Sequence, residues 1–293
     1  ELYLKKGGHW LVYKQRHAWL FLIVPAVSLL TFSLIPAVWA LFLSFTNYNV
    51  FQPMEWVGLE NFTRAFSDQL FGKAMFNTFY YWLLATPALV VLPILLAVLV
   101  NQKIPLINLF QLTYYFPFLS VVVTALLWKM MFRGEGVINY FLSLFGIEPI
   151  GWLTTSTYAM PSVGLITVWQ GLGYYMLIYL AGLQAIPTNL YEAAEIDGAG
   201  FWKKQRHVTF PMLKPIIFFV LIISTLSAFK EFTLMLVMTD GGPLYATTTV
   251  VFLVFREAFE SLNMGYASAI SFLLFIIILI ITIINRQVFE KER

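Results

Sequence analysis

The 293-residue chain contains no cysteine, and only 11% of its residues are charged. Without thiols it can form neither a disulfide nor a thiolate metal site, although this says little about compartment. The three histidines, His9, His17 and His207, all fall in polar segments, where imidazoles are ordinarily solvated, and no metal site is expected. There is no His-Glu-x-x-His run, and no Ser/His/Asp set can be assembled within the apolar stretches, so no catalytic residues are expected. A Gly-rich phosphate loop with its Lys is also missing, so the chain is not expected to bind and hydrolyse ATP itself. The net charge of +3 comes with no basic tract that would suggest nucleic acid. Because the chain starts at Glu1 rather than Met, it is expected to lack its true N-terminus. The first apolar run is too long for a signal-peptide core and has no small-residue cleavage site, which makes it a retained anchor.

What the chain has in abundance is apolar surface. Hydrophobic residues make up 60% of it and the mean hydropathy is +0.78, the composition of a polytopic membrane protein. Six runs are long enough to cross a hydrocarbon core of ~30 Å. They lie near 18–44, 77–100, 109–132, 161–186, 212–238 and 264–289. Pro25, Pro36, Pro87, Pro93 and Pro117 interrupt the first three, and in lipid such kinks call for neighbouring helices to satisfy the freed carbonyls. Leu59, Phe62 and Phe66 recur at helical spacing and predict a short amphipathic helix on the membrane surface. A second amphipathic stretch is expected near Phe252 to Leu262, after a Gly241-Gly242-Pro243 turn. Gly164, Gly171, Gly173 and Gly182 suit close helix packing in the fourth span. The expected architecture is all-α, with a basic, aromatic lead over 1–17, a six-helix membrane domain over 18–289 and a tail over 290–293.

Charge sets the orientation. Twelve of the 18 Lys and Arg residues lie on the side shared by the two termini, the 101–109 turn and the loop after the fourth span. The other side holds Arg64, Lys73, Lys129, Arg133, Lys230 and Arg256, while the acids lean the opposite way. By the positive-inside rule the first side is cytoplasmic.

The loop after the fourth span is a polar island between apolar runs, residues 187 to 215. Asn189 followed by Glu192 fits a capping box and predicts a short helix beginning near Leu190. Gly198 stands where that helix needs a left-handed residue to end. Ala193 and Ala194 would let another surface approach closely, and Glu192, Glu195 and Asp197 offer it charge. Read from the residues alone, the island is either a docking element or a solvated loop.

Elsewhere, Lys230 and Glu231 are ionisable groups within or at the edge of a span. Charge there is costly, so each is expected to face the bundle, a water-filled cavity or the interface. The fourth and fifth spans gather Thr167, Trp169, Gln170, Tyr174 and Tyr175 on one side, and Ser224, Thr225 and Ser227 on the other. Such groups suit the hydroxyls and C–H faces of a sugar, and they equally suit helix association.

Glu192-Ala193-Ala194, then Asp197-Gly198-Ala199, then Pro211 and Pro215, closely resembles the EAA loop of bacterial ABC importer permeases. The flanks, Leu180-Ala181-Gly182-Leu183-Gln184-Ala185-Ile186-Pro187 and Thr239-Asp240-Gly241-Gly242-Pro243, are similar to those of carbohydrate importer permeases of the maltose-transporter type. Gln205 departs from the family, which usually has an aromatic residue there. The resemblance implies a type I ABC importer permease in the bacterial inner membrane. It implies a second, related permease, two ATPase subunits carrying ATP and Mg, and an extracytoplasmic solute-binding protein. It assigns ATPase coupling to Glu192, Ala193, Ala194, Asp197, Gly198 and Ala199 over a loop at 188–211. It assigns sugar contact to Thr167, Gln170, Gly171, Tyr174, Ser224 and Glu231. Alternatives are an importer of glycerol-phosphate or an acidic saccharide, or an ion-coupled sugar symporter. The symporter would want several intramembrane carboxylates and inverted repeats, where the sequence shows one candidate acid and no convincing repeat.

Overall fold

The computed structural model describes residues 21–101 and 120–290. The basic lead, the 102–109 part of the turn, the first half of the third span and the last three residues lie outside the described residues. Among the described residues the elements are helices joined by loops, with one isolated bridge, Thr46 to Trp56. Five helices are long and apolar enough to span a membrane. These are α1 (Phe21–Leu43), α3 (Gln69–Val100), α6 (Ser156–Gln184), α8 (Phe201–Phe229) and, within α10 (Met264–Glu290), Met264–Gln287. The third expected span is described from its middle onward, where α4 (Val121–Met131) is helical. Shorter helices are α2 (Glu60–Ser67), α5 (Val137–Ser143), α7 (Thr188–Ile196) and α9 (Val250–Phe255, continued by Arg256–Glu260).

Three helices, α3, α6 and α8, form the core. Tyr81, Ala85 and Leu89 of α3 meet Val163, Ile166 and Tyr175 of α6, and Leu213 and Val220 of α8 close the cluster. Glycines set the spacing, as expected for packed membrane helices. A Cβ on Gly171 would lie 2.6 Å from Leu89, and one on Gly182 would collide with Ile216 of α8 and crowd Leu213. A second cluster joins Phe71 and Ala74 of α3 to Phe229, Val250 and Leu253, with Tyr266, Ile270 and Leu274 of α10. The amphipathic helix expected at 59–66 is α2. Its buried Asn61 donates to the carbonyls of Ser44 and Thr46, while Phe66 is exposed.

Several boundaries differ from those expected. The second span begins at Gln69, eight residues early, because Asp68 caps it by accepting from the Leu70 N–H at 2.8 Å. The fourth span begins at Ser156, and Pro161 is accommodated in its second turn. The fifth is displaced most. It starts at Phe201 inside the polar island and stops at Phe229, well short of 238. The chain breaks at Lys230 and Glu231, and the Glu231 carboxylate then accepts from the Leu234 N–H at 2.8 Å. That bond opens a new helical segment ending in the π turn Met235–Thr239.

Two prolines are accommodated within the helices that carry them. A π turn spans Leu30–Leu34 ahead of Pro36, and another spans Gln205–Thr209 ahead of Pro211. In each case the residue four before the proline, Phe32 or His207, lies inside the widened turn. Proline has no N–H to offer that carbonyl and its ring crowds it. The wider turn relieves the clash, and the next N–H bonds reach back five residues, Ile35 to Leu30 and Phe210 to Gln205.

Replacing Gly182 by Leu is expected to push α6 off α8. The overpacking should destabilise the fold by about 1–3 kcal/mol, read as a lower thermal midpoint of the purified complex against an exposed control such as Gly72→Leu.

Candidate coupling and translocation site

The polar island folds as a hairpin of α7 and the first turns of α8. α7 begins at Thr188 directly behind Pro187, two residues before the expected start, and Asn189 makes no cap. Pro187, at φ −59° and ψ 131°, leads the chain straight into helical geometry. The far end is as expected. Gly198 adopts φ +73°, its N–H bonds Glu195 O at 3.0 Å, and the Ala199 N–H bonds Ala194 O at 2.8 Å. This paired closure satisfies the last carbonyls and ends the helix sharply.

Two side-chain contacts make the hairpin one unit. Lys204 Nζ meets Glu195 Oε1 at 2.6 Å across the turn. The Tyr191 and Thr209 hydroxyls share a hydrogen bond of 3.0 Å at its base. Glu192, Ala193, Asp197 and Gly198 are exposed, with Ala194 and Ala199 half-buried. Ile196 and Trp202 project beside them, 87% and 80% exposed. The resulting tip exposes apolar and acidic groups together, with the exposed cations Lys203 and Arg206 following Trp202. Because α8 runs on from Phe201 to Phe229, the tip is the end of a rod that enters the membrane. Gln205, flagged as a departure, turns inward, and its Oε1 is buried without a hydrogen-bond partner among the described residues. It lines a small cavity of about 120 Å³ with Asn101, Tyr191 and Thr209. His207 stays exposed, its Nδ1 3.0 Å from Lys203 O.

A polar seam runs between α3, α6 and α8. Thr167 is 2.6 Å from the hydroxyl of the fully buried Tyr81, and Trp82 Nε1 donates to Thr225 Oγ1 at 3.1 Å. Tyr81 and Trp82 have no place in the sequence reading of sugar contacts, which takes Thr225 as a lining group without a partner. Only the register of α3 against its neighbours, invisible in one sequence, brings them in. The six residues expected to contact solute are distributed across this seam. Thr167 and Tyr174 are half-buried and Gln170 is buried on α6. Gly171 lies against Leu89, and the Ser224 hydroxyl is turned back to Leu221 O at 3.2 Å. Glu231 sits at the break after α8, where its carboxylate caps the following segment and its carbonyl accepts from Thr249 at 3.4 Å. Lys230, beside it, is exposed. The Thr86 and Tyr179 hydroxyls are buried with no hydrogen-bond partner among the described residues.

At the end of the bundle away from the hairpin, the 240–249 loop is fastened to α3. Asn77 donates to the carbonyls of Tyr245 and Thr248, Lys73 to that of Leu244, and Thr78 Oγ1 accepts from the Val250 N–H.

Comparison with known proteins places this arrangement. Residues 66–291 match the family model described as binding-protein-dependent transport system inner membrane component. A probable ABC transporter permease protein, YesP of Bacillus subtilis (strain 168), is 37% identical over 88% of this chain and 85% of its own length. The trehalose/maltose transport system permease protein MalF of Thermococcus litoralis is 31% identical over 97% of each chain. Among solved structures, a bacterial ABC transporter involved in import of the acidic polysaccharide alginate superposes with a TM-score of 0.84 at 23% identity, covering 96% of this chain and 97% of that one. The long α3, α6 and α8 rods and the hairpin between the last two are thus parts of a shared fold, and the chain belongs to the inner-membrane components of binding-protein-dependent transport systems, the permeases of ABC importers.

Proposed function

We propose that this permease forms half of the translocation pathway of an ATP-driven importer of sugars or oligosaccharides. The observation that carries the reading is the hairpin. It ends in an exposed tip of Glu192, Ala193, Asp197 and Gly198, and it is continuous through α8 with the polar seam. A force on the tip reaches the seam through α8, to which the Lys204–Glu195 and Tyr191–Thr209 contacts fasten the tip. The tip docks on a cytoplasmic ATPase subunit, with Ala193, Ala194 and Ala199 allowing close approach and Glu192 and Asp197 offering charge to a basic partner. The excess of Lys and Arg on the hairpin side supports a cytoplasmic hairpin and cytoplasmic termini.

The whole assembly pairs this chain with a related permease, two ATPase subunits holding ATP and Mg, and an extracytoplasmic solute-binding protein. Closure of the ATPases stabilises one of two helix packings, which is alternating access by rigid-body movement. Thr167, Gln170 and Tyr174 offer hydrogen-bonding groups to a sugar as the seam opens, with Glu231 and Ser224 at its α8 side and Gly171 setting its width. The sugar class is supported by the trehalose/maltose relative and by the hydroxyl and aromatic lining.

The first experiment is ATP turnover by the co-purified complex in lipid, with binding protein loaded with neutral or acidic oligosaccharides. Stimulation by one sugar class is expected. Turnover indifferent to every sugar would remove the carbohydrate assignment. Glu192→Lys and Gly198→Pro should each abolish sugar-driven uptake while membrane insertion persists. Proline cannot adopt the φ of +73° that Gly198 uses. Normal uptake by both variants would refute docking through the hairpin.

A further inference from the structure

On the side of the membrane opposite the hairpin lies an open cavity of about 420 Å³, between the end of α4, the loop after it and the π turn Met235–Thr239. Lys129 and Arg133 line it together with Thr154 and Thr239. Lys129 Nζ donates to Val237 O at 2.7 Å, which leaves two of its N–H groups to serve the cavity. Among the described residues neither cation forms an ion pair. The seam and the hairpin use none of these groups.

The surroundings identify what would occupy the cavity. Val122, Leu126 and Met130 are exposed at four-residue steps along α4 and lead toward Arg133. Beside them, α5 carries exposed Val137, Tyr140 and Phe141, followed by exposed Leu144 and Phe145, the profile of a helix lying in the membrane interface. Its one buried residue, Asn139, holds the loop in shape. Asn139 Nδ2 donates to the carbonyls of Arg133, Gly134 and Ile150, and its Oδ1 accepts from Ile150 N and Trp152 Nε1. Trp128 and Trp152 both pack on Phe132, a cluster fit for headgroup depth. Two cations thus stand at the head of an apolar track, at the depth where a bilayer changes from acyl chain to headgroup.

We propose that this cavity binds the phosphodiester of an anionic phospholipid, with its acyl chains along the exposed stripe of α4. The anion is held by Lys129, Arg133 and the Thr154 hydroxyl, the Thr239 hydroxyl being engaged with Met235 O and Thr247. A soluble anion would gain nothing from the apolar track, whereas a lipid uses both halves of the site.

The test is native mass spectrometry of the detergent-purified full complex, titrated with phosphatidylglycerol or phosphatidylcholine. Phosphatidylglycerol should be retained preferentially. A K129Q/R133Q variant should bind it about 30-fold more weakly, since each cation near a lipid surface contributes on the order of a fivefold. Glutamine keeps a donor for the Val237 carbonyl, and a K129R/R133K variant should retain the preference, which separates charge from folding. Equal binding of both lipids, or an unchanged K129Q/R133Q variant, overturns the proposal. Displacement of phosphatidylglycerol by equimolar methyl phosphate would make the site one for soluble anions, and would overturn it as well.

Discussion

Hydrocarbon offers no partner to a peptide group, so every N–H and C=O that crosses it must be satisfied within the protein. The rest of this structure follows from that constraint. It makes the spans helical, and it makes each proline a problem to be solved locally. The π turn at Leu30–Leu34 solves it inside the helix that carries the proline. It also explains where irregular backbone occurs. Lys230 and Glu231 interrupt the chain only at the outer end of α8, where the Glu231 carboxylate caps the segment that follows.

Glycine and hydroxyl placement then decides how the rods meet. Gly171 and Gly182 bring α6 against α3 and α8 at contact distance, and the short gap forces Tyr81, Thr167, Trp82 and Thr225 to satisfy one another across it. The seam is therefore both glue and lining. The same hydroxyls that hold one packing together are those a polar solute would meet when the packing changes.

Much of this was legible in the residues. Hydropathy located the spans, and Gly198 together with the Glu-Ala-Ala run marked the hairpin, because a left-handed helix end leaves a signature in residue type. What could not be read was how far helices run past their apolar segments. Phe201 to Thr209 looks like loop by composition, yet it is helical because packing and the Tyr191–Thr209 bond hold it so. In the same way, Asn189 satisfies the pattern of a cap, but Pro187 starts the helix ahead of it. Partners on α3 for the α6 residues were out of reach, since inter-helix register depends on contacts between residues some 86 positions apart.

The π turn at the base of α8 has a geometric consequence of its own. It lengthens one turn by a residue, and a residue in a regular helix is a rotation of about 100°. The face that α8 shows to α7 and the face it shows to the bundle are thus out of phase, and no single helical wheel describes both. Removing one residue between Gln205 and Thr209 would restore a regular helix and turn the tip, with Trp202 and the Lys204–Glu195 pair, by that angle around an otherwise unchanged span. The hairpin is aimed by one extra residue in the backbone.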